Sequence, residues 1–367
     1  MPERIKEGRR ARGFTQTELA EVLSVSKQAI SQYETGSNSP KPEVFEQMCE
    51  VLQLPHSYFS KAIPYRITTP IFFRKRQTAI KKYTDMFEVR MGWLVEIYQY
   101  LKNFIEFPTV QLRPYTQESY TFEEIVKIAE EVREFWGLGK GPISSIALLL
   151  ENNGFIISKV KVGAEKVDAC SFLKADEEEK RPMIFSTPDT SAVRSRRDIA
   201  HELGHQFLHS WMDQVYFDAN RKRCDEEAEW FASVFLMPPE AMKREVFAVS
   251  SLESLLLLKK RWKVSAQSLL YHMRSLDLIS INQFNYLRNK MYTNGWRMSE
   301  PLDNEIEQEE PQMITQACSL VLDNKIRTPI QFAEEIGLPV NDTESLCGLE
   351  RGRLKTLVPQ TVLKLVK

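Results

Sequence analysis

Two neighbouring stretches decide how this chain is read: residues 194–210, RSRRDIAHELGHQFLHS, and residues 224–238, CDEEAEWFASVFLMP. Each is predicted to form a helix, and the second carries small residues along one face, where close helix packing would need them. His201 and His205 are four residues apart, so their imidazoles project from the same helix face and can bind one cation at about 2.0 to 2.1 Å. This spacing predicts a metal site on the first helix.

Glu202 directly follows the first of these histidines. It lies off the ligand face, but it can reach a metal-bound water, whose pKa a catalytic zinc lowers to about 7, and take its proton. Peptide-bond hydrolysis with Glu202 as the general base is the chemistry that this pattern indicates. The H-E-x-x-H motif is short enough to occur by chance. Taken alone, it therefore also fits a surface helix that happens to bear two histidines.

A hydrolytic zinc needs a third protein ligand and an open fourth position. The second helix offers Asp225 as the best placed third ligand, with Glu229 on the same face as a supporting carboxylate. His209 lies two turns beyond His201 and partly off the metal face, so it is predicted to be a hydrogen-bonded structural histidine. Cys224 points away from the metal face and is interpreted as a buried free thiol.

The segments HELGHQFLH and DEEAEWFASVFLMP resemble the hallmark of the ImmA/IrrE metallopeptidase family, which joins HELGHxxLH to a helix reading roughly ExxAxxFAxxLLMP. The resemblance extends backward to residue 141 and forward to residue 301. It implies an α+β zincin-like domain with a small sheet, one Zn²⁺ per chain and endopeptidase activity. Asp225 stands where the family has its glutamate ligand, and Glu226 beside it is the alternative third ligand.

Peptidases of the H-E-x-x-H type commonly pair an edge strand with the extended backbone of the substrate. We expect Ala169 to Leu173 to form that edge strand.

The N-terminal residues predict a compact set of short helices, over 5–11, 15–23, 26–34 and 43–52. Thr15 and Glu18 have the spacing of a capping box at the start of the second helix. Leu19, Ala20 and Ile30 are the small and branched residues that two helices crossing over a short turn require. These features predict an all-α helix-turn-helix domain.

In a helix-turn-helix, the second helix of the pair enters the major groove of double-stranded DNA, where glutamine pairs with adenine and lysine with guanine. Its outward face, which we expect to contact DNA, carries Lys27, Gln28, Ser31 and Gln32. Of these, Lys27, Gln28 and Gln32 become candidates for reading bases. Arg9, Arg10, Arg12 and Gln16 lie at or before the first helix of the pair and are candidates for phosphate contacts. Packing or dimerisation alone is the alternative role of such a unit.

Residues 9–54, from RRARGFTQTELAEVLSVSKQAI to EVLQL, resemble the XRE helix-turn-helix family, with matches that include Gln16, Glu34 and Gly36. The resemblance implies binding to a DNA operator. Because such proteins usually read two half-sites as dimers, we expect a homodimer.

The length and composition of the chain indicate how its domains are organised. With 367 residues, 43% of them hydrophobic and 27% charged, the chain is long enough for several globular domains. We predict a multidomain, mainly α protein: a helix-turn-helix domain over 1–62, a helical connector over 63–115, the metallopeptidase domain over 116–300, and an acidic linker with a small helical region over 301–367. The basic run RKRQTAIKK at residues 74–82 is interpreted as a solvated helix face, with DNA contact as the alternative.

Charge and cysteine usage exclude several classes of protein. The formal net charge is −1, so any DNA contact must come from a local patch. The five cysteines are scattered, without a C-x-x-C pair, which argues against a disulfide framework or a zinc ribbon. Neither a signal peptide nor a long apolar run is present, so we expect a cytoplasmic protein that does not span a membrane.

Three functions fit these features. The preferred hypothesis is a DNA-bound transcriptional regulator with a zinc endopeptidase domain, cleaving a partner repressor or another cytoplasmic protein; the resemblance implies a role in stress response or mobile-element control. The second is a transcription factor whose peptidase-like domain only senses a ligand or metal. The third is an antitoxin-like or phage-type repressor that binds a protein partner.

Overall fold

The computed structural model describes residues 1–63, 70–75, 81–159, 167–175, 180–188, 190–245, 251–297 and 299–355. The chain divides into two compact units. Unit 1 combines residues 1–66, 80–106 and 313–367, and unit 2 combines residues 67–79 and 107–312. The chain therefore enters unit 2 twice before it ends in unit 1.

Helices dominate both units, and a small sheet lies in unit 2. The elements follow one another in this order: α1 (Pro2–Ala11), α2 (Gln16–Val22), α3 (Lys27–Thr35), α4 (Pro42–Leu52), α5 (His56–Ser60), β1 (Phe72–Lys75), α6 (Lys81–Leu101), α7 (Phe122–Phe135), α8 (Ile146–Asn152), β2 (Ile156–Lys159), β3 (Val167–Ala175), β4 (Lys180–Ser186), α9 (Ala192–Leu208), α10 (Gln214–Leu236), α11 (Pro239–Glu245), α12 (Leu252–Trp262), α13 (Ala266–Ser275), α14 (Ile281–Thr293), α15 (Met313–Asp323), α16 (Pro329–Ile336) and α17 (Val340–Leu346). The predicted fold class, mainly α with an N-terminal helix-turn-helix and an α+β domain, is confirmed.

The predicted capping box starts α2. The Thr15 hydroxyl accepts the Glu18 N–H at 3.1 Å, and the Glu18 carboxylate accepts the Thr15 N–H at 2.6 Å. These two bonds satisfy backbone donors that a helix start otherwise leaves open. Leu19, Ala20 and Ile30 are buried where α2 and α3 meet, as expected for a helix-turn-helix pair.

Helix α6 is the most deeply buried helix of unit 1, with Trp93, Leu94 and Val95 fully covered. A buried ion pair joins it to α1, because the Arg4 guanidinium donates to both carboxylate oxygens of Glu96 at 2.8 Å. Two parallel hydrogen bonds of this kind fix geometry as well as charge. The pairing sets the position of α1 against α6.

The C-terminal helices α15, α16 and α17 also pack on α6. Phe332 lies edge-on to Tyr100 with the ring centroids 5.2 Å apart. The Lys61 ammonium donates to the Glu334 carbonyl at 2.8 Å, near the end of α16. Unit 1 is thus built from both ends of the described chain.

The sheet of unit 2 has the strand order β1-β3-β4-β2. β3 pairs antiparallel with β1 and β4, and β2 pairs parallel with β4. The prediction that Ala169 to Leu173 forms an edge strand is wrong, because β1 lies along the side of β3 that would otherwise be open. The connector stretch was predicted to be helical, yet its residues 72–75 supply this strand.

Helices α9 and α10 pack face to face in unit 2, at a point where Gly204 meets Ala228. A Cβ placed on Gly204 would lie 3.0 Å from the Ala228 Cα and 3.1 Å from the Ala228 carbonyl oxygen. A residue with a Cβ would force the neighbouring backbone to shift by a few tenths of an ångström, so glycine favours this close approach of the two helices. This approach brings residues 201–205 of α9 opposite residues 225–229 of α10.

The acidic stretch after residue 298 is held on unit 2 by ion pairs. Lys259 donates to Glu300 at 2.8 Å, and the Glu300 carboxylate also accepts the Ala266 N–H at the start of α13 at 2.7 Å. Glu309 pairs with the buried Arg196 at the beginning of α9. These contacts use the negative charge that the sequence concentrates here. Of the basic run at 74–82, residues 76–80 lie outside the described residues.

Candidate metal centre and DNA-contacting face

His201 and His205 lie on one face of α9, as their spacing predicts. Their Nε2 atoms are 3.1 Å apart, and the Asp225 Oδ1 atom on α10 lies 3.5 Å from the His205 Nε2. One donor atom from each of the three residues falls within 4.8 Å of the others. Ligands bound tetrahedrally at about 2.1 Å lie about 3.4 Å from one another. The three side chains therefore fit a zinc ion, with two imidazoles and one carboxylate as donors.

The carboxylates around the three candidate ligands differ in their exposure and in the side chains that they face. Glu226, the alternative third ligand, is exposed, whereas the Asp225 side chain is 45% exposed and faces the histidines. Glu229 approaches the other side of His201, with its Oε2 3.5 Å from the His201 Nδ1, and pairs with Arg197. Glu229 thus supports a histidine of the group, rather than Asp225 as the sequence suggested.

Glu202 is fully buried beside the histidine pair. The Ser171 hydroxyl of β3 donates to the Glu202 Oε2 at 2.6 Å, and the Gln206 amide donates to the Ser171 oxygen at 3.2 Å. These hydrogen bonds orient the Glu202 carboxylate, which the H-E-x-x-H motif predicts to be the general base. Sequence reasoning missed Ser171 and Gln206, because their contact joins residues that are 35 positions apart.

A second chain of hydrogen bonds leads away from His205. Its Nδ1 lies 3.0 Å from the His209 Nδ1, and the His209 Nε2 lies 2.8 Å from the Glu227 Oε2. With the His205 Nε2 available to a metal, its Nδ1–H donates to His209, whose Nε2–H donates to Glu227. His209 is therefore a buried hydrogen-bonded histidine, as the sequence suggested. Although Cys224 also lies close to His209 and Glu227, both His209 nitrogens have these partners.

Burial controls the protonation of these groups. Removal from water lowers the pKa of His205 to about 4 and that of His209 to about 4. Both imidazoles are therefore neutral at pH 7, which is the form that binds metal. Burial acts to raise the pKa of Asp225, but its contact with the His205 imidazole outweighs burial, so the pKa is lowered. Burial raises the pKa of Cys224 to about 11, which keeps this thiol protonated.

Phe72 of β1 covers one side of the group. Its ring stacks on the His205 ring with a centroid distance of 4.8 Å and an interplanar angle of 3°, and it is fully buried. Phe217 of α10 lies edge-on to both rings. No sequence pattern placed residue 72 near residue 205. The apolar run PIFF at residues 70–73 is the only local signal of a buried strand.

The residues predicted to contact DNA fall into two groups. Lys27 and Gln28 are exposed at the start of α3, and Ser31 and Gln32 are half-buried on the next turn. All four lie on α3, the second helix of the helix-turn-helix pair.

The residues predicted to contact phosphate are engaged within unit 1. Arg9 pairs with the buried Glu34, which also accepts the Gln16 amide at 2.8 Å. Arg12 pairs with Asp342 at 2.8 Å, and its side chain is 17% exposed. Arg10 pairs with Asp85 at 2.8 Å. In the structure these arginines form ion pairs that join helices of unit 1.

Among the described residues, no helix combines the length and the apolar composition that a membrane span requires.

Comparison with known families gives two matches. Residues 5–59 match the helix-turn-helix family model, and residues 154–274 match the model of the IrrE N-terminal-like domain. A comparison with curated proteins found no match. The second matched range includes the three candidate ligands, Glu202 and Ser171. The chain therefore joins an XRE-type helix-turn-helix, the DNA-binding part of a regulator, to a peptidase-like domain of the IrrE/ImmA family.

Proposed function

We propose that the protein is a transcriptional regulator whose peptidase-like domain is a zinc-dependent endopeptidase that cleaves a repressor or another cytoplasmic protein. The observation that supports this most directly is the grouping of His201, His205 and Asp225 around one point, with Glu202 buried beside it. A domain that had lost hydrolysis would have little physical reason to keep a base in this place.

His201, His205 and Asp225 would hold the ion, and their distances fit zinc. When bound, the ion would act as a Lewis acid and bring water closer to ionisation at neutral pH. Glu202 takes the proton of the attacking water and returns it to the leaving amine. The Ser171 hydroxyl donates to the Glu202 Oε2 at 2.6 Å and so fixes the orientation of this carboxylate. Glu227 accepts the Nε2–H of His209, and the His209 Nδ1 accepts the Nδ1–H of His205. These two hydrogen bonds fix the tautomer of His205.

The zinc content of the purified chain tests the proposal. We expect about one zinc per chain by elemental mass spectrometry, lost in folded His201→Ala and Asp225→Ala variants because a two-ligand site binds zinc weakly. The matched control is Glu226→Ala, which removes the exposed neighbouring carboxylate and should retain the metal. Zinc lost in Glu226→Ala but kept in Asp225→Ala would move the third ligand to Glu226.

A folded wild type that takes up no zinc when zinc is supplied would contradict the peptidase. The second candidate function would then apply, namely a regulator in which the peptidase-like domain senses a ligand. The stacking of Phe72 on His205 favours this candidate, because it closes one side of the site. A sensor must change operator affinity when its ligand binds, whereas a peptidase need not.

Operator binding is assigned to α3. With an operator selected from random DNA, Gln28→Ala is expected to weaken specific binding by about 5- to 150-fold, the equivalent of about 1 to 3 kcal/mol for a lost base contact. Affinity for unrelated DNA should change little, since glutamine contributes no charge. The control is Gln47→Ala, an exposed glutamine on α4. Equal affinities of the two variants in a gel-shift titration would exclude Gln28 from base reading.

A further inference from the structure

Strand β1 adds an extended segment to the sheet directly beside Glu202. It runs antiparallel to β3, and in this register Phe72 is the partner of Ser171, whose hydroxyl donates to Glu202. β1 therefore aligns an extended backbone with the strand that contacts the proposed base. The Ile71 N–H extends the attachment by donating to the Gln214 side chain of α10 at 3.0 Å.

The Phe72 side chain fills a pocket of its own. One face of its ring lies on His205, and Phe217 meets it edge-on with the centroids 4.7 Å apart. Met212 and Cys224 complete a small buried apolar cluster around it, separate from the main core of unit 2. A flat aromatic side chain matches this pocket, because one wall is an imidazole ring parallel to it.

Extended peptides are recognised by two features used together: strand addition gives affinity through the main chain, and pockets for side chains give specificity. β1 uses both features at the candidate metal centre. The residues before and after it in sequence, 1–66 and 80–106, belong to unit 1, so β1 is a short excursion of the chain into unit 2. The pairing of β1 with β3 is therefore not a consequence of sheet elements that lie next to β1 in sequence.

We propose that β1 is an internal occupant of the position on β3 where peptidases of this type pair with an extended substrate, and that its Phe72 side chain fills a subsite for an aromatic side chain formed by His205, Phe217 and Met212. The substrate class is then an extended polypeptide with an aromatic residue at the position of Phe72. β1 occupies the site in competition with such a substrate. This inference rests on the proposed function for the fate of the bound peptide, but the binding itself does not require hydrolysis.

The competition makes a quantitative prediction. A site that is free for only a fraction of the time binds its ligand more weakly by that fraction. Replacing Phe72 by alanine removes the stacked ring and its buried area, so it frees the site. We expect an added peptide to bind the Phe72→Ala chain at least about tenfold more tightly than the parent chain.

The experiment uses the full-length chain with Glu202→Gln, so that bound peptide is not cleaved. The probe is a fluorescein-labelled peptide with the sequence of residues 70–75, PIFFRK, and its affinity is measured by fluorescence anisotropy with and without Phe72→Ala. A PIAFRK peptide should bind the Phe72→Ala chain about tenfold more weakly than PIFFRK, because it lacks the aromatic ring at the position of Phe72. The matched control is Phe284→Ala, which removes a buried phenylalanine that lies against Tyr271 and should leave peptide affinity unchanged.

Gln214→Ala provides a second route to the same result. This exposed side chain accepts the Ile71 N–H and donates to Asp218 within α10, so its loss leaves the core intact and a smaller gain in peptide affinity is expected. Equal affinities in the parent, Phe72→Ala and Gln214→Ala chains would overturn the inference.

The inference and the proposed function fail in different ways. Tighter binding in Phe72→Ala without cleavage by any chain that retains Glu202 would sustain the inference and reject the peptidase. Cleavage that Phe72→Ala does not accelerate, with peptide affinity also unchanged, would reject the inference alone.

Discussion

Glu202→Gln is expected to lower peptide cleavage by about 10²- to 10⁴-fold, the contribution typical of general acid–base catalysis, without loss of bound zinc. The substitution keeps the size of the side chain and an oxygen that can accept the Ser171 hydroxyl, so the local packing is preserved. It removes the basic oxygen that takes the proton from water. Metal content is expected to stay at the wild-type value, because Glu202 lies outside the group of three candidate ligands.

Cleavage of a peptide library, followed by mass spectrometry alongside a zinc assay, measures both quantities in one preparation. Glu226→Gln is the matched control, since it makes the same chemical change on an exposed residue near the site and should retain full activity. A Glu202→Gln chain that cleaves at the wild-type rate would remove Glu202 from the mechanism. Loss of zinc from that chain would instead mean that Glu202 helps to hold the metal.

Gly204→Val is expected to lower the free energy of unfolding by about 1 to 2 kcal/mol. Overpacking of a tight contact typically costs about 1 to 3 kcal/mol. Valine has a better helix propensity than glycine, which offsets less than about 1 kcal/mol of this cost. Packing dominates because the obstacle is the Ala228 backbone, 3.0 Å from the added Cβ, which cannot turn aside as a flexible side chain would. Urea denaturation of the metal-free protein measures the loss.

The same substitution is expected to weaken zinc binding, because α9 carries both histidines and α10 carries Asp225. Competition with a chelator at fixed pH reports this effect separately from stability. Gly141→Val is the control, since no atom lies within 4 Å of a Cβ placed there and its φ is not positive. Similar behaviour of the two variants would show that the contact between α9 and α10 tolerates a larger side chain.

The helices were predictable because their signals are local. The capping box at Thr15, the four-residue spacing of His201 and His205, and the small residues of α10 each lie within one or two helical turns. A resemblance to two families then linked these signals to DNA and zinc. The side chains that share one face of a helix can be predicted from a few consecutive residues.

The sheet and the hydrogen-bond partners were less predictable, because they depend on residues far apart in sequence. β1 pairs Phe72 with Ser171, and no periodicity in four residues could indicate that partner. Arg9 and Arg12 illustrate the same difficulty for charges, because a cluster of arginines near a helix-turn-helix suggests phosphate contacts. Their ion pairs with Glu34 and Asp342 become visible only in the folded chain.

The packing of α15, α16 and α17 on α6 has a consequence for the order in which the protein is made. Helices α1 to α6 are synthesised before the helices that cover α6 in the same unit, which follow more than two hundred residues later. Contacts between such distant segments form slowly, because a long loop must close before they give any stability. During synthesis the nascent chain therefore exposes apolar surface of α6 until α15, α16 and α17 are made, so unit 1 is completed only after the residues of unit 2 have been synthesised.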